Sequence, residues 1–183
     1  VNGYGGIDYN RNDLTLEDLR LSCSKLKSDN VEGIFATIIT ADFQDMILRI
    51  KKIVDLRRQD ELIHTIIKGI HIEGPFLNSA DGYRGAHPKE YILKANVEQL
   101  KELLDAADGL CRIFTLAPEI DTNNLLTNYL HSQRIIISAG HCNPNLEELK
   151  SAIDAGLSMF THLGNGCPQS LPRHDNIIQR VLS

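Results

Sequence analysis

Short apolar runs and amphipathic stretches take turns along the whole chain, and this alternation restricts its fold more than any other feature. Strand-like runs cover residues 1–6 (as a strand end), 31–40, 66–76, 112–119, 134–141 and 157–162. Between them, apolar side chains three or four apart mark helices over residues 13–26, 43–63, 94–107, 124–131 and 145–155, with another helix starting at Asp175. The segment Gly33-Ile-Phe-Ala-Thr-Ile-Ile39 is almost unbroken in apolar and β-branched residues, as in a strand buried on both faces. Alternation of this kind predicts an α/β fold with parallel strands and right-handed crossovers. A doubly wound sheet would accept six strands, whereas a (β/α)8 barrel would need two more. Neither a Gly-x-Gly-x-x-Gly turn nor a Walker A loop joins a strand to a helix, which weighs against nucleotide binding.

Local signals agree with this outline. Thr15 and Asp18 are spaced as a capping box at the start of the first helix, and Gly156 ends the helix over 145–155. Val1 begins directly in a Gly-rich turn and Ser183 falls in the first turns of a helix, so the expectation is a piece of a longer chain.

Composition narrows the function. The 183 residues are 42% hydrophobic and 23% charged, ordinary for a globular domain with one core. A net charge of −5 with scattered basic residues argues against a nucleic-acid or anionic-membrane partner. No apolar stretch approaches the roughly 18 residues of a membrane span, and no signal-peptide pattern opens the chain. Cys23, Cys111, Cys142 and Cys167 are widely spaced with no Cys-x-x-Cys pair, and they read as reduced thiols of a cytoplasmic protein.

The chemistry gathers where the apolar runs stop. Asn2, Asp42, Glu73, Glu119, His141 and His162 each close a run at its C-terminal end, the edge where α/β sheets and barrels place their active sites. In Gly69-Ile-His-Ile-Glu-Gly-Pro-Phe-Leu77 a lone acid, Glu73, closes an apolar strand, and Gly74-Pro75 then breaks the ladder. A carboxylate there needs a partner. Glu73, His141 and His162 form a common three-ligand set for a divalent metal with a position left for water or substrate. His71 shares the strand face of Glu73 and reads as a supporting residue. His64 and His131 read as solvated helix-end residues. Cys142 reads as buried rather than as a thiolate ligand, and Glu119 as structural, with ligand or base as its alternative. The loop 81–88, with its small residues and His87, and the loop 162–168 followed by Arg173 read as substrate-holding segments. Arg173 would pair with a phosphate or carboxylate, or else stand as a solvated surface cation.

Taken together, Val1-Asn-Gly-Tyr-Gly-Gly, His71-Ile-Glu-Gly-Pro-Phe-Leu-Asn, Gly85-Ala-His87, Thr115-Leu-Ala-Pro-Glu119, Ser138-Ala-Gly-His141 and Thr161-His-Leu-Gly-Asn165 closely resemble the N-acetylglucosamine-6-phosphate deacetylase family of the amidohydrolase superfamily. The resemblance implies a metal-dependent (β/α)8 barrel of the TIM type, incomplete here with about six strand-helix units. Residues 1–183 would be part of the catalytic barrel, without the flanking small β domain and the last barrel strands. The implied reaction removes acetate from the 2-acetamido group of a sugar 6-phosphate. Carried over by position, Glu73, His141 and His162 hold one divalent ion, zinc with iron as the alternative. His87 contacts the substrate and polarises its amide carbonyl; Ala86, Asn165, Gly166 and Arg173 bind the sugar phosphate. The chain departs from the family at Gly164 and Gly166, where a bulky residue and an alanine are usual, and through the segment after Cys167. The catalytic aspartate and a further phosphate-site histidine would lie beyond Ser183, so the 183 residues alone are expected to be inactive. The full-length protein would be a homodimer. A related amidohydrolase acting on another amide-bearing sugar and a sugar-phosphate-binding module without catalysis are the alternatives.

Overall fold

The computed structural model describes Val1–Ser183. Five strands, β3 (Ile34–Ile39), β4 (Ile67–Glu73), β5 (Cys111–Leu116), β6 (Ile136–Ala139) and β7 (Leu157–Phe160), form one parallel sheet in chain order, preceded by a separate two-stranded hairpin, β1 (Gly3–Tyr4) and β2 (Ile7–Asp8). The expected six strand-helix units are therefore five. The first Gly-rich segment folds back on itself because Gly5 and Gly6 take the positive φ that a tight turn requires. It still meets the sheet through Val1, whose carbonyl accepts from the Thr37 N–H and whose backbone nitrogen donates to the Phe35 carbonyl.

The chain divides into two compact units, residues 1–73 with 101–112, and residues 74–100 with 113–183. In the first, α1 (Leu16–Ser28) starts with the expected capping box: Thr15 Oγ1 accepts from the Asp18 N–H, and the Asp18 carboxylate accepts from the Thr15 N–H. The expected helix over 43–63 is two helices, α2 (Phe43–Gln59) and α3 (Glu61–Ile66). Asp60 breaks them apart, because its backbone is extended and its side chain accepts from the Ile63 N–H. Apolar period alone does not reveal such a break, since both helices bury one stripe: Met46, Ile50, Ile53 and Val54, then Ile63 and Ile66. β3 and β4 pair in parallel, with Ile38 opposite Ile72 and Ile39 opposite Glu73. Beyond Val1, Asn10 serves the same edge of β3 like a strand residue, its Nδ2 donating to the Thr37 carbonyl and its Oδ1 accepting from the Ile39 N–H.

In the second unit, β6 lies between β5 and β7, with Leu116 opposite Ala139 and Ala139 opposite Phe160. Phe114 and Phe76 are fully buried and stack at 6.1 Å. α5 (Leu125–Ser132) is capped by buried Asp121, which accepts from the N–H groups of Leu126 and Thr127 and from the Thr127 hydroxyl. α6 (Leu146–Asp154) begins with a capping box from Asn145 and Glu148. The remaining helices are α4 (Val97–Ala106) and α7 (Ile177–Leu182). No helix is long and apolar enough to cross a membrane. Burial pushes the Cys23 and Cys111 thiols up to about 12 and Cys142 well above its ordinary value. These three are packing residues, and no disulfide links any of the four cysteines.

Candidate metal centre

The second unit gathers three imidazoles. His141 follows β6 and His162 follows β7, each two residues past the strand. Both hold positive φ, +50° and +35°, a sparsely populated backbone conformation for a residue other than glycine. Their Nε2 atoms face one another at 3.2 Å. Two imidazoles sharing one tetrahedral ion at about 2.0–2.1 Å would stand about 3.3 Å apart, so the spacing fits a common ligand. The His87 ring lies edge-on to His141 at 4.3 Å, and His141 edge-on to His162 at 4.8 Å.

The tautomer of His141 follows from its other nitrogen. Nδ1 lies 2.9 Å from the Tyr83 carbonyl, which can only accept, so Nδ1 carries a proton and in the neutral ring the lone pair is on Nε2. A carbonyl behind a ligating imidazole is a common way to fix its orientation and basicity. The loop backbone must come close to do this. A Cβ on Gly85 would fall 2.9 Å from His141 Cε1, and one on Gly166 would fall 3.1 Å from both His141 N and Nδ1. Gly166, expected to meet substrate, packs against His141 in the structure.

A floor of hydroxyls lies in the same unit. Thr161 Oγ1 is 2.7 Å from both Thr115 Oγ1 and Ser138 Oγ, all three buried. Each comes from a motif that also carries a strand-end residue, Thr115-Leu-Ala-Pro-Glu119, Ser138-Ala-Gly-His141 and Thr161-His162. Gly140 lets these strands close, because a Cβ there would meet Thr115 Cγ2 at 2.7 Å. Sequence reasoning passed over this trio, although three hydroxyls in otherwise apolar runs were a signal.

In the first unit Glu73 ends β4, buried, with its carbonyl accepting from the Thr40 hydroxyl at 3.3 Å. His71, two residues earlier, meets Thr37 Oγ1 through Nδ1 at 3.2 Å, in keeping with a supporting part. Glu73 and His141 are buried and His162 is exposed, and each offers one ligand atom. One carboxylate and two imidazole nitrogens are a donor set that suits a divalent first-row ion.

The other expected site residues divide. His87 is buried beside His141, whereas Ala86, Asn165 and Arg173 are exposed. The Asn165 N–H bonds the His162 carbonyl at 2.9 Å and so shapes the turn that follows His162. Glu119 lies in a 3-10 turn, its Oε1 accepting from Asn78 Nδ2 at 2.8 Å and from the Asn143 N–H at 2.5 Å. Burial raises its pKa, and those hydrogen bonds only partly offset the effect.

No protein-family model matches the chain. The N-acetylglucosamine-6-phosphate deacetylase of Bacillus subtilis is 31% identical over 182 residues, covering 98% of this chain and 46% of that protein. The N-acetylgalactosamine-6-phosphate deacetylase of a Shewanella strain is 35% identical over 179 residues, covering 97% of this chain and 43% of that protein. Among solved structures, the N-acetylglucosamine-6-phosphate deacetylase of Pasteurella multocida superposes with a TM-score of 0.82 at 29% identity, over 100% of this chain and 46% of the other. The chain thus spans just under half the length of the proteins it matches.

Proposed function

This chain is a relative of the N-acetylglucosamine-6-phosphate deacetylases, and from that premise we propose that its 183 residues are part of a catalytic barrel that hydrolyses the acetamide of N-acetylglucosamine 6-phosphate. The observation that carries this is the approach of the His141 and His162 Nε2 atoms to 3.2 Å, with the His141 tautomer set for ligation. Glu73, His141 and His162 hold one divalent ion, zinc or iron. A divalent ion held by these three residues would supply a water of lowered pKa and polarise the acetamido carbonyl. His87 donates its imidazole N–H to the oxyanion that develops on the amide oxygen. Asn165, Ala86 and the Gly166 backbone line the sugar, and Arg173 offers a planar pair of donors to the 6-phosphate. An aspartate from outside the 183 residues takes the proton of the attacking water and returns it to the leaving amine. The full protein works as a cytoplasmic homodimer.

A second reading follows from the relatives. The Shewanella protein, 35% identical, is named for the C4 epimer of this sugar, N-acetylgalactosamine 6-phosphate. Acetate release by the full-length protein separates the two readings, using both sugar phosphates and their unphosphorylated forms. The proposal expects the glucosamine phosphate to be hydrolysed fastest, and loss of the phosphate to cost at least about tenfold in kcat/KM, the worth of one charge-assisted hydrogen bond. Preference for the galactosamine epimer would favour the second reading. Equal rates with and without phosphate would remove Arg173 from the site.

A further inference from the structure

We propose that Glu119 is a positioning residue, which fixes His141 by clamping together the two segments that orient it; this rests on His141 being a metal ligand. Glu119 Oε1 takes one hydrogen bond from each segment, from Asn78 Nδ2 at 2.8 Å and from the Asn143 N–H, two residues past His141, at 2.5 Å. Asn78 completes the tie. Its backbone N–H donates to the His141 carbonyl at 3.0 Å, and its Oδ1 accepts from the Ala80 N–H at 2.9 Å. Ala80 opens the loop that runs on to Tyr83, whose carbonyl holds His141 Nδ1, and to Gly85, which packs on the same ring. His141 is therefore held at its carbonyl by one end of this loop and at its ring by the other. One carboxylate oxygen anchors the loop to the strand end that bears the histidine.

A purely structural residue would not be built this way. Glu119 Oε2 is buried and takes no hydrogen bond from the protein, so the carboxylate bears a desolvation cost that an apolar side chain of the same length would avoid. Buried polar groups with an unmet lone pair call for a reason, and such departures gather at functional sites. Here the reason is a doubly accepting oxygen at the one place where the Asn78 and Asn143 donors converge. Outer partners of metal ligands typically change metal affinity 10–100-fold when removed.

The test uses the full-length protein. Glu119→Met removes both acceptors at similar length, Glu119→Gln leaves one amide oxygen, and Asn78→Ala removes the side-chain donor and spares the backbone. Chelator competition on folded protein should show zinc bound about 10–100-fold more weakly in the Met variant and weakened in Asn78→Ala, with Gln recovering most of the loss. In metal-free protein, 15N shifts of His141 should report a proton fixed on Nδ1 in the parent and a mixture of tautomers in the Met variant. That second readout stands even where no zinc binds, which separates failure of the clamp from failure of the metal reading. A Met variant with a lower thermal midpoint but unchanged zinc affinity and His141 tautomer would leave Glu119 a structural residue only. Lost kcat in Glu119→Gln with zinc affinity intact would make it an acid or base and overturn the proposal. If the Met variant does not fold, Gln and Asn78→Ala decide by the same criteria.

Discussion

His141→Asn in the full-length protein is expected to cut kcat/KM for deacetylation at least about a thousandfold. The variant loses the Nε2 atom that faces His162 at 3.2 Å, and with it one of the three proposed metal ligands. Activating a water and polarising a carbonyl at a metal accounts for several kcal/mol of transition-state stabilisation; roughly 4 kcal/mol corresponds to a thousandfold. The backbone carbonyl of His141, bonded by the Asn78 N–H, is unaffected by the substitution, so the fold should survive. Acetate release measured with and without added zinc, beside a thermal melt, checks this. Activity within tenfold of the parent at an unchanged melting temperature would contradict it.

Phe114→Ala is expected to have the largest effect on stability. Phe114 is completely buried in β5 and stacks on Phe76, and it stands one residue before Thr115 of the hydroxyl floor. Truncating a buried aromatic loses its transfer free energy and leaves a cavity, together about 3–5 kcal/mol. Much of a marginal domain's stability would go with it. Phe114→Leu, which refills most of the volume, should cost distinctly less. Denaturant midpoints at unchanged m-value give the comparison. A loss below about 1 kcal/mol for the alanine variant would mean that the surroundings collapse onto the site, contrary to the packing described.

The sequence carried the parts of the fold that depend on local pattern. Thr15 and Asp18 announced the start of α1, because a cap is written in neighbouring residues, whereas the run 33–39 announced a strand buried on both faces and β3 is an edge strand that is only half-buried at its ends. Asp60 was less visible, since a helix break made by one side chain inside a continuing apolar stripe leaves no mark in the periodicity. The turn at Gly5 and Gly6 was seen, but its outcome as a hairpin depended on whether the following residues paired back or continued, which composition does not decide. Glu73, His141 and His162 were legible as candidate ligands because ionisable residues at the ends of apolar runs are conspicuous. The residues that set them were not. Tyr83 acts through its carbonyl, Gly85 and Gly166 through a missing side chain, and Asn78 through three separate bonds, two of which, to Glu119 and to the His141 carbonyl, span long sequence distances. Glu119 was visible as a strand-end acid, but its two donors come from loops 41 and 24 residues away, and only the fold brings them together.

The central claim is that Glu73, His141 and His162 share one metal ion, and the metal content of the purified full-length protein tests it most directly. After stripping and reloading with zinc, the parent should hold one ion per chain. Glu73→Gln and His162→Asn should each hold far less under the same conditions, while remaining folded by circular dichroism. Full and equally tight zinc occupancy in both variants would contradict the account.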